Sequence, residues 1–262
     1  MIKTGLVTGA ASGLGYEFSI LLAQDSFDLV LVDIDEEKLI AVKQEIKAIY
    51  QVHVDIIICD LSQPGCVELI YEQIKDRNID VLINNAGFGL YGFFSETEWE
   101  LEESMIYMHI MVMTHLTKLI LKGMIKMKSG KILNLSSVAA FQPGPLMAVY
   151  YATKAYILSF SEALANEVKG TGVTVTVLCP GQTKTNFQKI TAKNSKEKLS
   201  SADFLSPADP VKVALYGYND MHSGYSKSVP GLINKFLILA SRITPNRFSL
   251  PLIRKIQVQM RK

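Results

Sequence analysis

IKTGLVTGAASGLG, residues 2–15, runs an apolar stretch of strand length into a turn with glycines at 9, 13 and 15, after which Leu14, Phe18, Leu21 and Leu22 fall at helical spacing. A strand that turns through glycines into a helix is the opening of a βαβ unit. Without a Cβ, the backbone at Gly9, Gly13 and Gly15 can approach a pyrophosphate closely. The free N–H groups and positive end of the following helix favour its charge. Other strand-to-helix turns also need glycine, so it is the place of this one, at the first junction of the chain, that points to a dinucleotide.

Outward from that turn the pattern repeats. FDLVLVD (27–33), VHVDIIICD (52–60), DVLINNAG (80–87), KILNLSS (131–137) and VTVTVLCPG (173–181) read as five further strands. Their Val, Ile and Leu runs are nearly continuous, as in strands buried on both faces of a parallel sheet. Between them lie a charged helix from Asp35, which can cap, to Ile49, a long helical segment from about Glu98 to Met127, and a helix carrying YYATK (150–154). Right-handed crossovers then give an α/β fold: a doubly wound parallel sheet of Rossmann type, ordered 3-2-1-4-5-6 with room for a seventh strand, flanked by helices on both faces. Residues 1–262 read as a single Rossmann-type domain. Within it, residues 186–206 are polar and weakly periodic, the pattern of a substrate lid. Residues 228–262 form a basic amphipathic C-terminal extension.

Composition narrows the class. An apolar fraction of 48% with 20% charged residues is ordinary for a soluble globular protein. Cys59, Cys66 and Cys179 show no CxxC spacing and are odd in number, which suits a reduced, cytoplasmic setting. No charged-then-apolar leader precedes the first strand, and no run approaches the roughly 18–20 uninterrupted apolar residues of a membrane-spanning helix. Neither a metal nor a nucleic-acid partner is expected. The net charge of +2 hides an asymmetry: residues 221–262 hold eight Lys and Arg and no acid, so residues 1–220 carry 27 − 8 = 19 basic against 25 acidic, or −6. Such a split marks either a solvated basic face or a tail that meets an acidic surface.

The chemistry gathers at the strand ends. Asp33 closes the second strand, where a carboxylate accepts hydrogen bonds from adenine-ribose hydroxyls and repels a 2′-phosphate. Neither Ile34 nor Ser12 supplies the cation that a phosphate would want, so NAD is preferred over NADP. Asp60 ends the third strand, as a cofactor contact or as a cap for the segment after Leu61, and the Asn84-Asn85-Ala86-Gly87 turn ends the fourth. In YYATK, Tyr150 and Lys154 stand at i and i+4 and share a helix face. An ammonium there favours phenolate, lowering a pKa that is otherwise about 10. Ser137 lies thirteen residues ahead of Tyr150. The flanking stretches GFGLYGFF (87–94) and AFQPGPLMAVY (140–150) are apolar and aromatic, and suit a small hydrophobic alcohol or ketone.

Together these residues resemble the short-chain dehydrogenase/reductase family in its classical, single-domain form. The resemblance runs from about Lys3 to Thr185, and more loosely to Gly231. It rests on Gly9, Gly13 and Gly15, on Asn84 to Gly87, on Ser137, on Tyr150 with Lys154, and on Pro180, Gly181 and Thr185. It implies an NAD(P)-dependent oxidoreductase and a homo-oligomer, in which Tyr150 is the general acid or base and Ser137 hydrogen-bonds the substrate oxygen. Lys154 would lower the pKa of Tyr150 and hold the nicotinamide ribose. The cofactor cleft implied by the resemblance is lined by Gly9, Ser12, Gly13, Leu14, Gly15, Asp33, Asp60, Leu61, Asn84, Ala86, Gly87, Tyr150, Lys154, Pro180, Gly181, Thr183 and Thr185. Ser136 should face the other side of its strand, and Tyr151, one step round the helix, should pack.

One position departs from the family. Its fourth helix usually carries an asparagine whose backbone carbonyl holds a water beside the lysine; here the aligned position is His109. The relay could survive, with the imidazole shuttling protons near neutral pH. The other reading is a dinucleotide-binding scaffold or redox sensor with weak or no turnover. In the tail, Leu232, Ile233, Phe236, Leu237 and Ala240 fall at helical spacing among basic residues. Such a helix can cover the pocket, pair with a second subunit or rest on an acidic membrane surface.

Overall fold

The computed structural model describes residues 2–194 and 207–259. Seven strands form one parallel sheet in the order β3-β2-β1-β4-β5-β6-β7. They are β1 (Thr4–Thr8), β2 (Asp28–Asp33), β3 (Val54–Ile58), β4 (Val81–Asn84), β5 (Gly130–Leu135), β6 (Val173–Leu178) and β7 (Lys227–Ser228). The six strands read from the sequence are all present in the expected order, and the seventh, two residues long, closes one edge.

Alternation along each strand divides the core into two layers. Val7, Leu29 and Leu31 point to one face, with Phe18, Leu22, Leu39 and Ile46 against them. Leu6, Val30, Val32, Leu82 and Ile132 point to the other, against Ile70, Leu116, Ile120 and Met124. The first layer is covered by α1 (Gly13–Gln24) and α2 (Glu36–Ile49); the second takes its cover from α3 (Cys66–Ile74), α5 (Met113–Met127) and α6 (Ala148–Glu167), while α4 (Trp99–Ile106) packs its Met105 in a separate cluster with Leu90, Ala139 and Tyr150. Asp35 caps α2 by accepting from Lys38 N at 3.1 Å, as its position suggested. After β6 comes α7 (Phe187–Asn194); the rest of the expected lid, residues 195–206, lies outside the described residues. The next helix, α8 (Pro210–His222), returns to the first layer, starting from an Asp209 cap. The chain then adds α9 (Leu232–Ile243) and α10 (Asn246–Gln259).

Two features of the long helical segment were not visible in its periodicity. Between α4 and α5 the helix passes through a π-helical turn, Tyr107–Val112, which contains His109. The whole run from Trp99 to Met127 is also long and apolar enough to cross a membrane by composition. Here its apolar stripe serves the core: Met105, Val112, Leu116, Ile120 and Met124 are all buried in the fold.

Candidate active site

The glycine turn and the turn after β4 interlock at the point where the sheet order reverses, between β1 and β4. Gly9 adopts a left-handed conformation (φ 68°), and a Cβ there would stand 2.8 Å from Asn85 Nδ2 and 2.9 Å from Ala86 Cα. A Cβ on Gly15 would stand 2.0 Å from the Gly9 carbonyl oxygen. Glycine is therefore required for the turn to close on itself. The lock is polar: Asn85 Nδ2 donates to the carbonyls of Thr8 and Gly9, both at 3.0 Å, while Thr8 Oγ1 accepts from Asn85 N at 3.0 Å and Ala86 N at 3.2 Å. Asp33 stands beside the turn, its Oδ2 accepting from Ala11 N at 2.9 Å and its Oδ1 from Asp35 N at 3.1 Å. A carboxylate has about four lone-pair sites, so two remain for ribose hydroxyls.

Several residues expected to line the cofactor cleft make side-chain hydrogen bonds inside the protein. The Asn84 amide faces the core and donates to Thr117 Oγ1 at 2.9 Å and Asn134 Oδ1 at 2.8 Å. Asn134 passes the chain on to Ser161 Oγ at 2.9 Å, tying β4, β5, α5 and α6 together. Asp60 does not cap a helix, since α3 begins at Cys66 with Gly65 at its N-cap; instead its Oδ1 closes a local turn by accepting from both Ser62 N (2.9 Å) and Ser62 Oγ (2.7 Å). Leu14 and Leu61 are buried apolar side chains. Ser12 occupies the N-cap position of α1 without a side-chain capping bond. Ala86 and Gly87 lie in the turn as expected. On the far side, the loop after β6 folds back over the glycines: a Cβ on Gly13 would come 3.2 Å from Thr185 Cβ. Thr185 Oγ1 accepts from Phe187 N at 3.3 Å, Thr183 Oγ1 donates to Gly181 O at 3.1 Å, and Pro180 O accepts from Val138 N at 3.0 Å.

The three groups singled out for proton chemistry converge. Ser137 sits at the start of a 3₁₀ turn, Val138–Phe141, where its Oγ accepts from Ala139 N at 3.1 Å. Its hydroxyl donates to Pro180 O at 3.5 Å, and its nearness to the Tyr150 phenol draws the phenol's pKa down. Lys154 Nζ lies 5.7 Å from the centre of the Tyr150 ring and donates to Leu135 O at 2.9 Å. Both side chains are buried. Burial outweighs the other influences on each, raising the Tyr150 phenol above its ordinary range and lowering the Lys154 ammonium to about 8. Desolvation, which penalises the phenolate, is the largest influence on the phenol here, and the Lys154 ammonium is engaged at a carbonyl. Ser136 faces away, as expected, donating to the Lys154 carbonyl at 2.8 Å. Tyr151 does more than pack: its hydroxyl accepts from Gln257 Nε2 at 3.1 Å.

His109 reaches this group through the π-helical turn. Its Nδ1 stands 2.9 Å from Thr153 Oγ1, its ring lies 6.1 Å from that of Tyr150, and its Nε2 is buried without a hydrogen-bond partner. A Cβ on Gly87 would come within 2.5 Å of that nitrogen, so glycine at 87 makes room for the imidazole. Burial, and then the charge of Lys154, hold the ring well below its ordinary pKa. It is neutral near pH 7, which does not fit the expected shuttle by protonation.

An apolar wall adjoins Tyr150, built from Leu90, Met105 and Ala139 with Phe88, Met147 and Phe187 packed against them. Helix α10 closes over this side. Tyr91 donates its hydroxyl to the Gln257 carbonyl at 2.6 Å, while the Gln257 amide holds Tyr151. Thr8 and Gln257 were absent from the sequence reading, and Asn85 entered it only as a member of the turn after β4. The doubled asparagine after β4 was the available signal for Asn85; Gln257 had none.

A doubly wound sheet with a glycine cradle at its switch point and an acid closing β2 defines a Rossmann-type dinucleotide-binding protein. Residues 3–196 match the family model for short chain dehydrogenase. A Gallus gallus protein described as hydroxysteroid dehydrogenase-like protein 1 is 32% identical over 231 residues, which is 86% of this chain and 69% of that protein. The structure of a short-chain dehydrogenase from Sphingobium yanoikuyae in complex with NADPH superposes with a TM-score of 0.82 at 24% identity, covering 98% of this chain and 95% of that one. A second, from Burkholderia phymatum in complex with NAD, gives 0.80 at 22% identity and 95% coverage of each chain. The chain belongs to the short-chain dehydrogenase family, oxidoreductases that act on CH–OH groups with a nicotinamide dinucleotide.

Proposed function

We propose that this protein interconverts a hydrophobic secondary alcohol and its ketone with NAD, and that Tyr150 is the proton-transferring group. The observation that carries the reading is the meeting of Ser137, Tyr150 and Lys154 beside the glycine cradle. When bound, the nicotinamide dinucleotide supplies or accepts the hydride. Gly9, Gly13 and Gly15 leave room for its pyrophosphate, and Asp33 takes the ribose hydroxyls. Asp33 and the absence of a cation at Ile34 and Ser12 favour NAD, although the two superposed relatives hold one cofactor of each kind.

Ser137 orients the substrate oxygen, and Tyr150 Oη gives it a proton on reduction or takes one on oxidation. A phenol pushed up by burial keeps its proton at neutral pH, the state needed for the reductive direction. Lys154 would hold the nicotinamide ribose by exchanging its bond to Leu135 O. The apolar wall around Tyr150 supports a hydrophobic substrate, as does the hydroxysteroid in the description of the Gallus gallus relative. Phe187, which follows the β6 loop, stands 5.5 Å from Tyr150, ring centre to ring centre, and adds to the apolar surroundings of the phenol.

Tyr150→Phe removes the exchangeable proton and is expected to cut turnover of a ketone panel, followed by NADH absorbance, by about 10²- to 10⁴-fold. NADH binding, followed by its fluorescence, should persist. An unchanged rate would overturn the assignment. The presence of His109 favours a second reading, a dinucleotide-binding scaffold; wild-type protein that binds NADH but reduces none of the panel would establish it.

A further inference from the structure

We propose that α9, continued by α10, is a docking surface for a bilayer rich in anionic phospholipid. The helix is arranged inside out. Leu232, Phe236, Leu239 and Ile243 recur at i, i+4, i+7 and i+11, a single stripe, and are 83%, 68%, 56% and 72% exposed. The opposite face, half-buried against the protein, carries Asn234, Ile238 and Ser241. Asn234 packs at Gly181 and donates to Pro230 O at 2.7 Å, while Ser241 donates to Ile238 O at 2.8 Å. A helix that served only the core would turn its apolar stripe inward.

Charge decides the occupant. Lys235 and Arg242, seven residues apart, run along one edge of the stripe, and both are exposed. Past Ile243, α10 exposes Phe248 and Leu252 together with Arg247 and Lys255. With eight cations and no acid over residues 221–262, the segment complements an anionic surface. A second copy docking through the same face would set these cations against each other, since a two-fold contact repeats the same patch on both sides. Apolar side chains set among Lys and Arg on an exposed helix are what an interfacial helix presents to headgroups and the upper acyl region.

Sedimentation of the full chain with phosphatidylserine-containing vesicles, and with vesicles of phosphatidylcholine alone, tests this. Strong binding to the first, little to the second, and weakening by salt are expected. Phe236→Glu should abolish sedimentation. Arg247→Gln with Lys255→Gln should weaken it by roughly 25-fold, about fivefold for each charge near the surface. These positions are exposed, so circular dichroism should be unchanged, as should turnover of a water-soluble ketone; the docking readout is independent of the enzymatic one. The proposal is overturned by three results: no binding to anionic vesicles at low salt, equal binding by the Phe236→Glu chain, or concentration-dependent dimerisation that Phe236→Glu removes in the absence of lipid.

Discussion

Thr153 decides which nitrogen of His109 carries its proton. Its hydroxyl donates to the Tyr150 carbonyl at 2.8 Å, so at 2.9 Å from Nδ1 it can only accept. The proton is on Nδ1, and Nε2 is a bare acceptor facing Gly87. Protonating that nitrogen would bury a cation near Lys154. The sign of the consequence follows from linkage. The folded pKa lies below the unfolded value of about 6.5, so at acid pH the unfolded chain binds a proton that the folded chain refuses. Stability is therefore expected to fall as pH drops below about 6.5, by up to about 1.4 kcal/mol per pH unit from this residue. His109→Asn should flatten that slope in urea melts repeated across the acid range, leaving the smaller share due to His222, whose pKa is also lowered by burial. An unaltered slope would remove His109 from the account. The glycines, Ser137, Tyr150 and Lys154 were legible in the sequence because their meaning lies in local spacing. The lock made by Asn85 and the contact of Gln257 were not, since they act on partners 77 and 106 residues away.

At the scale of elements, the π-helical turn and the turn after β4 fit each other at one point of contact. A methyl at position 87 would enter the space of the imidazole, and overpacking of this kind costs about 1–3 kcal/mol. Gly87→Ala is expected to lose that much in the wild-type background. The loss should be much smaller with His109→Ala, a coupling that a double-mutant cycle in denaturant would measure. Additive losses would show that the two turns are independent. The six long strands were readable from continuous Val, Ile and Leu, and α2 from its cap and acidic first turn. The π-helical turn escaped because it leaves the apolar stripe of the segment intact. Helix α10 escaped because Pro251 lies inside it, where proline normally argues for a break.

For the molecule as a whole, the cofactor cleft lies between the halves of the sheet, so anything bound there joins them. Ligand that binds the folded chain alone stabilises it by about 2.7 kcal/mol at one hundred times its Kd. NAD is expected to raise the melting midpoint in a thermal scan, and NADP at the same concentration to raise it less, because Asp33 opposes a 2′-phosphate. A larger rise with NADP would reverse the cofactor preference. The fold class and sheet order were legible at this scale, through alternation of strand and helix. What α9 does with its apolar stripe was not, since periodicity shows that a face exists without showing which way it turns. The rims of the sheet have a consequence of their own. On one side β7 offers two residues of backbone; on the other, Asp55 of β3 is engaged by Arg77 and His53. Neither border gives a stranger's strand a long, flat row of amides to copy. Crowded copies of this protein should consequently meet through their helices, and resist growing into fibrils.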